Sequence, residues 1–184
     1  MGEWRLLLVI VLILAGFIIW AYNRLVRARN YVLDAWSGIE VQLTKRHDLI
    51  PMLTTVVKSY AKHEKELFTT TTELRAPSIS SDTLKTSERE ESFGSKLNNI
   101  ILLAESYPEI KSDENFRKLQ DNLIAIEGDI ESARRYYNGS VRDLNILIES
   151  FPSNLVAKQF SFEPRTFFKL KLPAMAMVPS VELS

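Results

Sequence analysis

Residues 114–151 read ENFRKLQDNLIAIEGDIESARRYYNGSVRDLNILIESF, and the spacing of their apolar side chains decides the fold class. Phe116, Leu119, Leu123, Ile126, Ile130, Ala133, Tyr137, Val141, Leu144, Ile148 and Phe151 follow one another at steps of three and four, which places them on one face of an α-helix. Ser112 or Asp113 followed by Glu114 marks the start, and Pro152 marks the stop. A helix of this length cannot cover its own apolar stripe, so the chain must supply packing partners.

Working outward, those partners are helical too. Before Tyr107-Pro108, the residues Leu97, Ile100, Ile101 and Ala104 continue a stripe that starts near Asp82 or Thr83. The turns from Lys85 to Ser92 are polar nearly all round, so they are expected to be mobile. Leu49, Met52, Leu53, Val56, Val57, Tyr60, Leu67 and Leu74 form another stripe, ending before the loop Ala76-Pro77-Ser78-Ile79-Ser80-Ser81. Leu25, Ala28, Val32, Ala35, Trp36, Ile39 and Leu43 form the first. Asp48 as an N-cap with Pro51 in the following turn predicts a break near His47 to Leu49. The expected fold is therefore all-α: an N-terminal transmembrane helix followed by an antiparallel up-and-down four-helix bundle. The alternative is three long helices with the first kinked near Asp48. Ser153 to Gln159 adds a short helical piece, and residues 161–184 read as an irregular tail.

The membrane segment is the uncharged run LLLVIVLILAGFIIWAYN at residues 6–23. As a helix it rises ~27 Å, close to the ~30 Å hydrocarbon core of a bilayer. Trp4, Arg5, Trp20, Tyr22 and Arg24 flank it as interface anchors, aromatic rings at the two water boundaries and arginines reaching outward. Glu3 offsets Arg5 and no small-x-small site closes the run, so a retained anchor (residues 1–23) is expected over a cleaved leader. Arg24, Arg27 and Arg29 outnumber the basic groups in front, which points the N-terminus outward and residues 24–160 into the cytoplasm.

Composition narrows the function. Lys+Arg and Asp+Glu are equal at 23 each, so no broad positive surface exists to grip nucleic acid. With no cysteine there is no disulfide framework, thiolate metal site or thiol nucleophile. His47 and His63 lie sixteen positions apart, and His63-Glu64 lacks the second histidine of H-E-x-x-H. Phosphate-cradling glycine loops and the serine nucleophile elbow are absent as well. The expectation is a non-enzyme with no catalytic, metal or cofactor residues.

One internal echo stands out. Tyr22-Asn23-x-x-Val26-Arg27-x-x-Asn30 and Tyr137-Asn138-x-x-Val141-Arg142-x-x-Asn145 share five residues at the same offsets. Asn23, Arg27, Asn30, Asn138, Arg142 and Asn145 are expected to meet as one polar cluster beside the membrane, either holding a lipid phosphate or a partner peptide or cross-bonding two helices.

At these residues the chain resembles the LemA family of bacterial membrane proteins. The resemblance rests on Tyr22-Asn23-x-Leu25-Val26-x-x-Arg29-Asn30, Ala35-Trp36-Ser37, Val41-Gln42-Leu43-x-x-Arg46, Asp48-Leu49-Ile50-Pro51 and Tyr60-Ala61-x-His63-Glu64. It continues through Ala104-Glu105-x-Tyr107-Pro108, Glu114-Asn115-Phe116-x-x-Leu119-Gln120, Ala133-Arg134-Arg135-x-Tyr137-Asn138 and Phe151-Pro152-Ser153-Asn154-Leu155, with Phe167-Phe168 and Pro179-Ser180-Val181 near the end. Met52 departs from it, standing where the family often has Asn. The resemblance implies a single membrane helix with a helical bundle over residues 24–160, and it carries no catalytic residue. It also implies a membrane-tethered scaffold in the bacterial inner membrane. The expected partners are membrane lipids, other envelope or membrane proteins such as a membrane metalloprotease, and further copies of the chain. A lipid- or envelope-sensing role for the Asn/Arg cluster is the alternative.

Overall fold

A computed structural model describes residues 3–60, 79–80 and 82–169. They form α1 (Glu3–Tyr60), α2 (Thr83–Glu105), α3 (Pro108–Ser112), α4 (Glu114–Glu149) and α5 (Ser153–Gln159), and no strand occurs among the described residues. The all-α expectation holds, with one long apolar helix at the N-terminal side.

The break expected near His47 to Leu49 is absent: α1 runs through Asp48 and Pro51 as a single helix of 58 residues. Pro51 cannot donate to the His47 carbonyl, and a proline inside a helix costs about 3 kcal/mol. The stripe Leu43, Arg46, Ile50, Leu53 and Val57 is buried on both sides of it, however, at unbroken steps of three and four. Each aliphatic side chain so buried contributes about 1.5–3 kcal/mol, so packing outweighs the local defect. Met52, expected in the stripe, is exposed. The rest of the expected second helix, including Leu67 and Leu74, lies outside the described residues, as do His63 and Pro179-Ser180-Val181. The four-helix count depends on that stretch.

The chain divides into two compact units, Met1–Ile39 with Ala133–Phe167 and Glu40–Ser132 with Phe168–Ser184. In the first, the residues of α1 from Trp4 through Leu14 that are large and apolar are all exposed, and burial begins at Ala21. From there Ala21, Leu25, Val32, Ala35 and Ile39 join Tyr137, Val141 and Leu144 of α4 and Val156 and Ala157 of α5 in its core. The Trp36 and Tyr137 rings meet edge-on at 5.5 Å; the segment after α5 runs along α1, Phe160 at Tyr22 and Phe162 at Arg29, and against α4, Arg165 at Asn145 and Thr166 at Tyr137, so α1 and α4 run antiparallel there. The expected stripe of α4 overshoots by one residue, because the helix ends at Glu149 and Phe151 is exposed.

In the second unit, Ile50, Leu53 and Val57 pack with Phe93, Leu97, Ile100 and Ala104 of α2, Ile110 of α3, and Phe116 and Leu123 of α4. Asp82 caps α2 by accepting from the Leu84 and Lys85 amides, and Asp113 caps α4 by accepting from the Phe116 amide at 2.9 Å. Tyr60 donates its hydroxyl to the other Asp113 oxygen at 2.7 Å, tying the end of α1 to the start of α4. The bond to the Phe116 amide, then that from Tyr60, holds the Asp113 carboxyl below its ordinary range, while the same contact raises the Tyr60 phenol.

Candidate functional site

The early turns of α2, polar nearly all round and expected to be mobile, carry buried side chains: Thr86, Ser87 and Glu90. The polar face is the inner face because its partner on α1 is also charged. Arg46 occupies a core position at the stripe interval, and its guanidinium reaches Glu90 through Nη2 and Glu127 Oε1 through Nη1 at 2.7 Å. Arg46 is 2% exposed and Glu90 1%, whereas the Glu127 side chain keeps substantial contact with solvent. Three helices thereby converge on one arginine. Phe93 floors the group, with the guanidinium carbon 5.2 Å from its ring centre.

His47 completes the cluster. Its ring stands edge-on to Phe93 at 5.3 Å, and its Nε2 lies 3.0 Å from Glu90 Oε1. The alignment is poor for a hydrogen bond, and both atoms, with Arg46 Nε and Gln42 Oε1, are buried without a hydrogen-bond partner. Gly94 sits over the same guanidinium, where a methyl group would lie 3.9 Å from Arg46 Nη1. Chemically this is a buried ion pair, extended to a partly solvated carboxylate, that locks helix register, since removing either Arg46 or Glu90 would leave the other charge in a poor solvent. Among the described residues, no three His, Asp or Glu side chains are grouped to hold a metal ion.

Sequence reasoning missed this cluster as a site. The signal was available: Ile39, Leu43, Arg46, Ile50, Leu53 and Val57 step by four and three, as do Thr86, Glu90, Phe93, Leu97, Ile100 and Ala104. A positive charge interrupts one stripe and a negative charge the other.

The six expected Asn/Arg residues all fall in the first unit. Asn23, Arg27 and Asn30 are all exposed on α1, and Arg142 is exposed on α4 with its Nε 3.4 Å from the neighbouring Asp143. Asn138 is half-buried. Asn145 instead fastens the segment that follows α5, since its amide nitrogen donates to the Arg165 carbonyl and its oxygen accepts from the Arg165 amide, both at 2.9 Å. Tyr137 adds a bond from its hydroxyl to the Thr166 carbonyl at 3.1 Å. Residues 162–169 have no regular structure, yet their first part is fastened along the helices; Phe162 lies 5.9 Å from the Tyr22 ring and under the Arg29 guanidinium at 5.4 Å. Of the interface anchors, Trp4, Arg5, Trp20, Tyr22 and Arg24 are all exposed, and Arg24 stacks over Trp20 at 5.3 Å.

Comparison with known proteins places this arrangement. Magnetosome proteins MamQ 1 and MamQ 2 of Paramagnetospirillum magneticum are each 29% identical to the chain over 79 residues, and MamQ of Magnetospirillum gryphiswaldense is 27% identical over the same length. That stretch is 43% of this chain and 29% of each relative, so the chain spans less than a third of the relatives it matches. The exposed apolar stretch of α1, the one such helix among the described residues, and these relatives fit a bacterial membrane protein. The family model described as the LemA family matches residues 35–183, and with most of the sequence inside that match the chain belongs to the LemA family.

Proposed function

We propose that the protein is a non-enzymatic membrane-anchored scaffold, whose helical units bind other envelope or membrane proteins or further copies of the chain. One observation carries the reading: the helix whose large apolar residues from Leu6 to Leu14 are all exposed is the same helix that supplies core residues to the first unit, so anchor and folded body are one element. The buried charges support it, because Arg46 and Glu90 are shielded from solvent and neutralise each other. The basic residues Arg24, Arg27 and Arg29 favour a cytoplasmic body with the N-terminus outside. A membrane metalloprotease is one partner class, carried over from the family resemblance alone.

The test is photo-crosslinking in cells from Ile124 and Tyr136, both exposed on α4. Discrete adducts that disappear when residues 1–23 are exchanged for a soluble leader are expected. No adduct from either position would overturn the scaffold reading. A second reading, headgroup sensing, draws on the exposure of Asn23 at the end of the uncharged run and of Arg27 and Asn30 just past it. Alanine at Arg27 and Arg142 separates the two: lost lipid association with folding intact favours sensing, and a lowered melting temperature favours a packing role.

A further inference from the structure

The corner between α4 and α5 leaves large apolar side chains uncovered. Phe151 is 80% exposed and Leu155 62%, and Phe160 stays largely open although one face meets Tyr22. Their height along the first unit says what covers them. Trp36 meets Tyr137, and α1 and α4 are antiparallel. Fourteen residues back along α1 from Trp36 is Tyr22, and fourteen onward from Tyr137 is Phe151. The first interval rises about 21 Å and α4 rises about 18 Å before it ends at Glu149, two residues short of Phe151, so the corner stands close to the level of Tyr22. The Tyr22–Phe160 contact reports the same register independently. Tyr22 is the penultimate residue of the uncharged run of residues 6–23, so the corner lies where that run meets its boundary.

We infer that the α4–α5 corner, through Phe151, Leu155 and Phe160, inserts into the lipid headgroup region of the bilayer that α1 crosses, as a second membrane contact beside the anchor. The inference rests on α1 being a membrane span. The charges agree with it: Lys158 on α5 and Arg24 on α1 are exposed at the same level, where cations meet anionic headgroups, and Arg24 already stacks on Trp20. An amphipathic corner of this kind limits the tilt and rotation of the folded body about its anchor, which a lone helix does not.

The experiment uses the absence of native cysteine. Full-length Leu12→Cys, Phe151→Cys, Leu155→Cys and Tyr136→Cys variants are labelled with one fluorophore and reconstituted into phosphatidylethanolamine–phosphatidylglycerol vesicles carrying a nitroxide lipid quencher. Tyr136 is exposed on α4, about 20 Å before the helix ends at Glu149, and serves as the aqueous reference. The expected result is loss of most fluorescence at Leu12, Phe151 and Leu155, and little at Tyr136. Quenching at Leu12 with Phe151 and Leu155 no higher than Tyr136 would overturn the corner's insertion while sparing the anchor. That result would assign the apolar corner to a protein partner. An unquenched Leu12 label would overturn both.

Discussion

Two stretches of α1 invert the usual rule of burial in opposite senses. Leu12 is 67% exposed with apolar neighbours on every side, while thirty-four residues later Arg46 is almost wholly enclosed. The first inversion is resolved by solvent: hydrocarbon covers a helix whose backbone hydrogen bonds are all internal, and needs no packing partner. The second is resolved by chemistry, since Glu90 and Glu127 supply to Arg46 the hydrogen bonds and charge that water would have supplied. One helix thus serves two solvents, and exposure alone does not reveal which residues are at home.

The largest expected effect breaks the second inversion. Glu90→Ala leaves Arg46 buried beside only the half-exposed Glu127, and should destabilise the second unit by about 3–5 kcal/mol, read by denaturant titration in detergent. The double variant Arg46→Met with Glu90→Leu sharpens the point, because with both charges gone the unit should regain or exceed its original stability. If the double variant were as unstable as the single one, the network would do more than satisfy itself.

Leu12→Arg breaks the first inversion. A central charge should cost about 2.5–3.5 kcal/mol of insertion, visible as protein lost from the membrane fraction, with the melting temperature of the folded units unchanged. Next in size, Asn145→Ala removes both bonds to Arg165 and should cost about 1–3 kcal/mol, concentrated in the segment after α5 and detected as faster proteolysis at Arg165.

The smallest effect concerns pH. Because the folded Asp113 carboxyl is held below its ordinary range, its contribution is complete above that range and is lost as pH falls through the depressed value. The Tyr60 phenol, raised by the same contact, contributes below its ordinary value and loses its contribution as pH rises through the elevated one. Asp113→Asn should abolish the acid arm, and an ultraviolet titration of Tyr60 should then move back toward the ordinary phenol.

Much of this is legible in residue order. The stripes of α2 and α4, the cap at Asp113, the stop before Pro152 and the short α5 all follow from periodicity and local backbone chemistry. The departures share one cause. Pro51 and Asp48 are strong local signals for a break, but neither reports the buried stripe that continues past them. Lys85 to Ser92 reads as solvated when polarity is averaged over the whole helix surface, whereas what matters is which face carries Thr86 and Glu90. Phe151 fits the α4 stripe by spacing and lies beyond the helix's end.

By itself the sequence determined the all-helical class, the apolar run of residues 6–23, the helix faces and the family, because these depend on neighbours three or four positions away or on an unbroken apolar run. Only the tertiary structure decided that Arg46 is paired with Glu90 and Glu127, that α1 carries on through Pro51, and that Asn145 fastens Arg165. Each of these is settled by groups distant in the chain or by many packed side chains acting together, whose summed free energy overrides what any short stretch prefers.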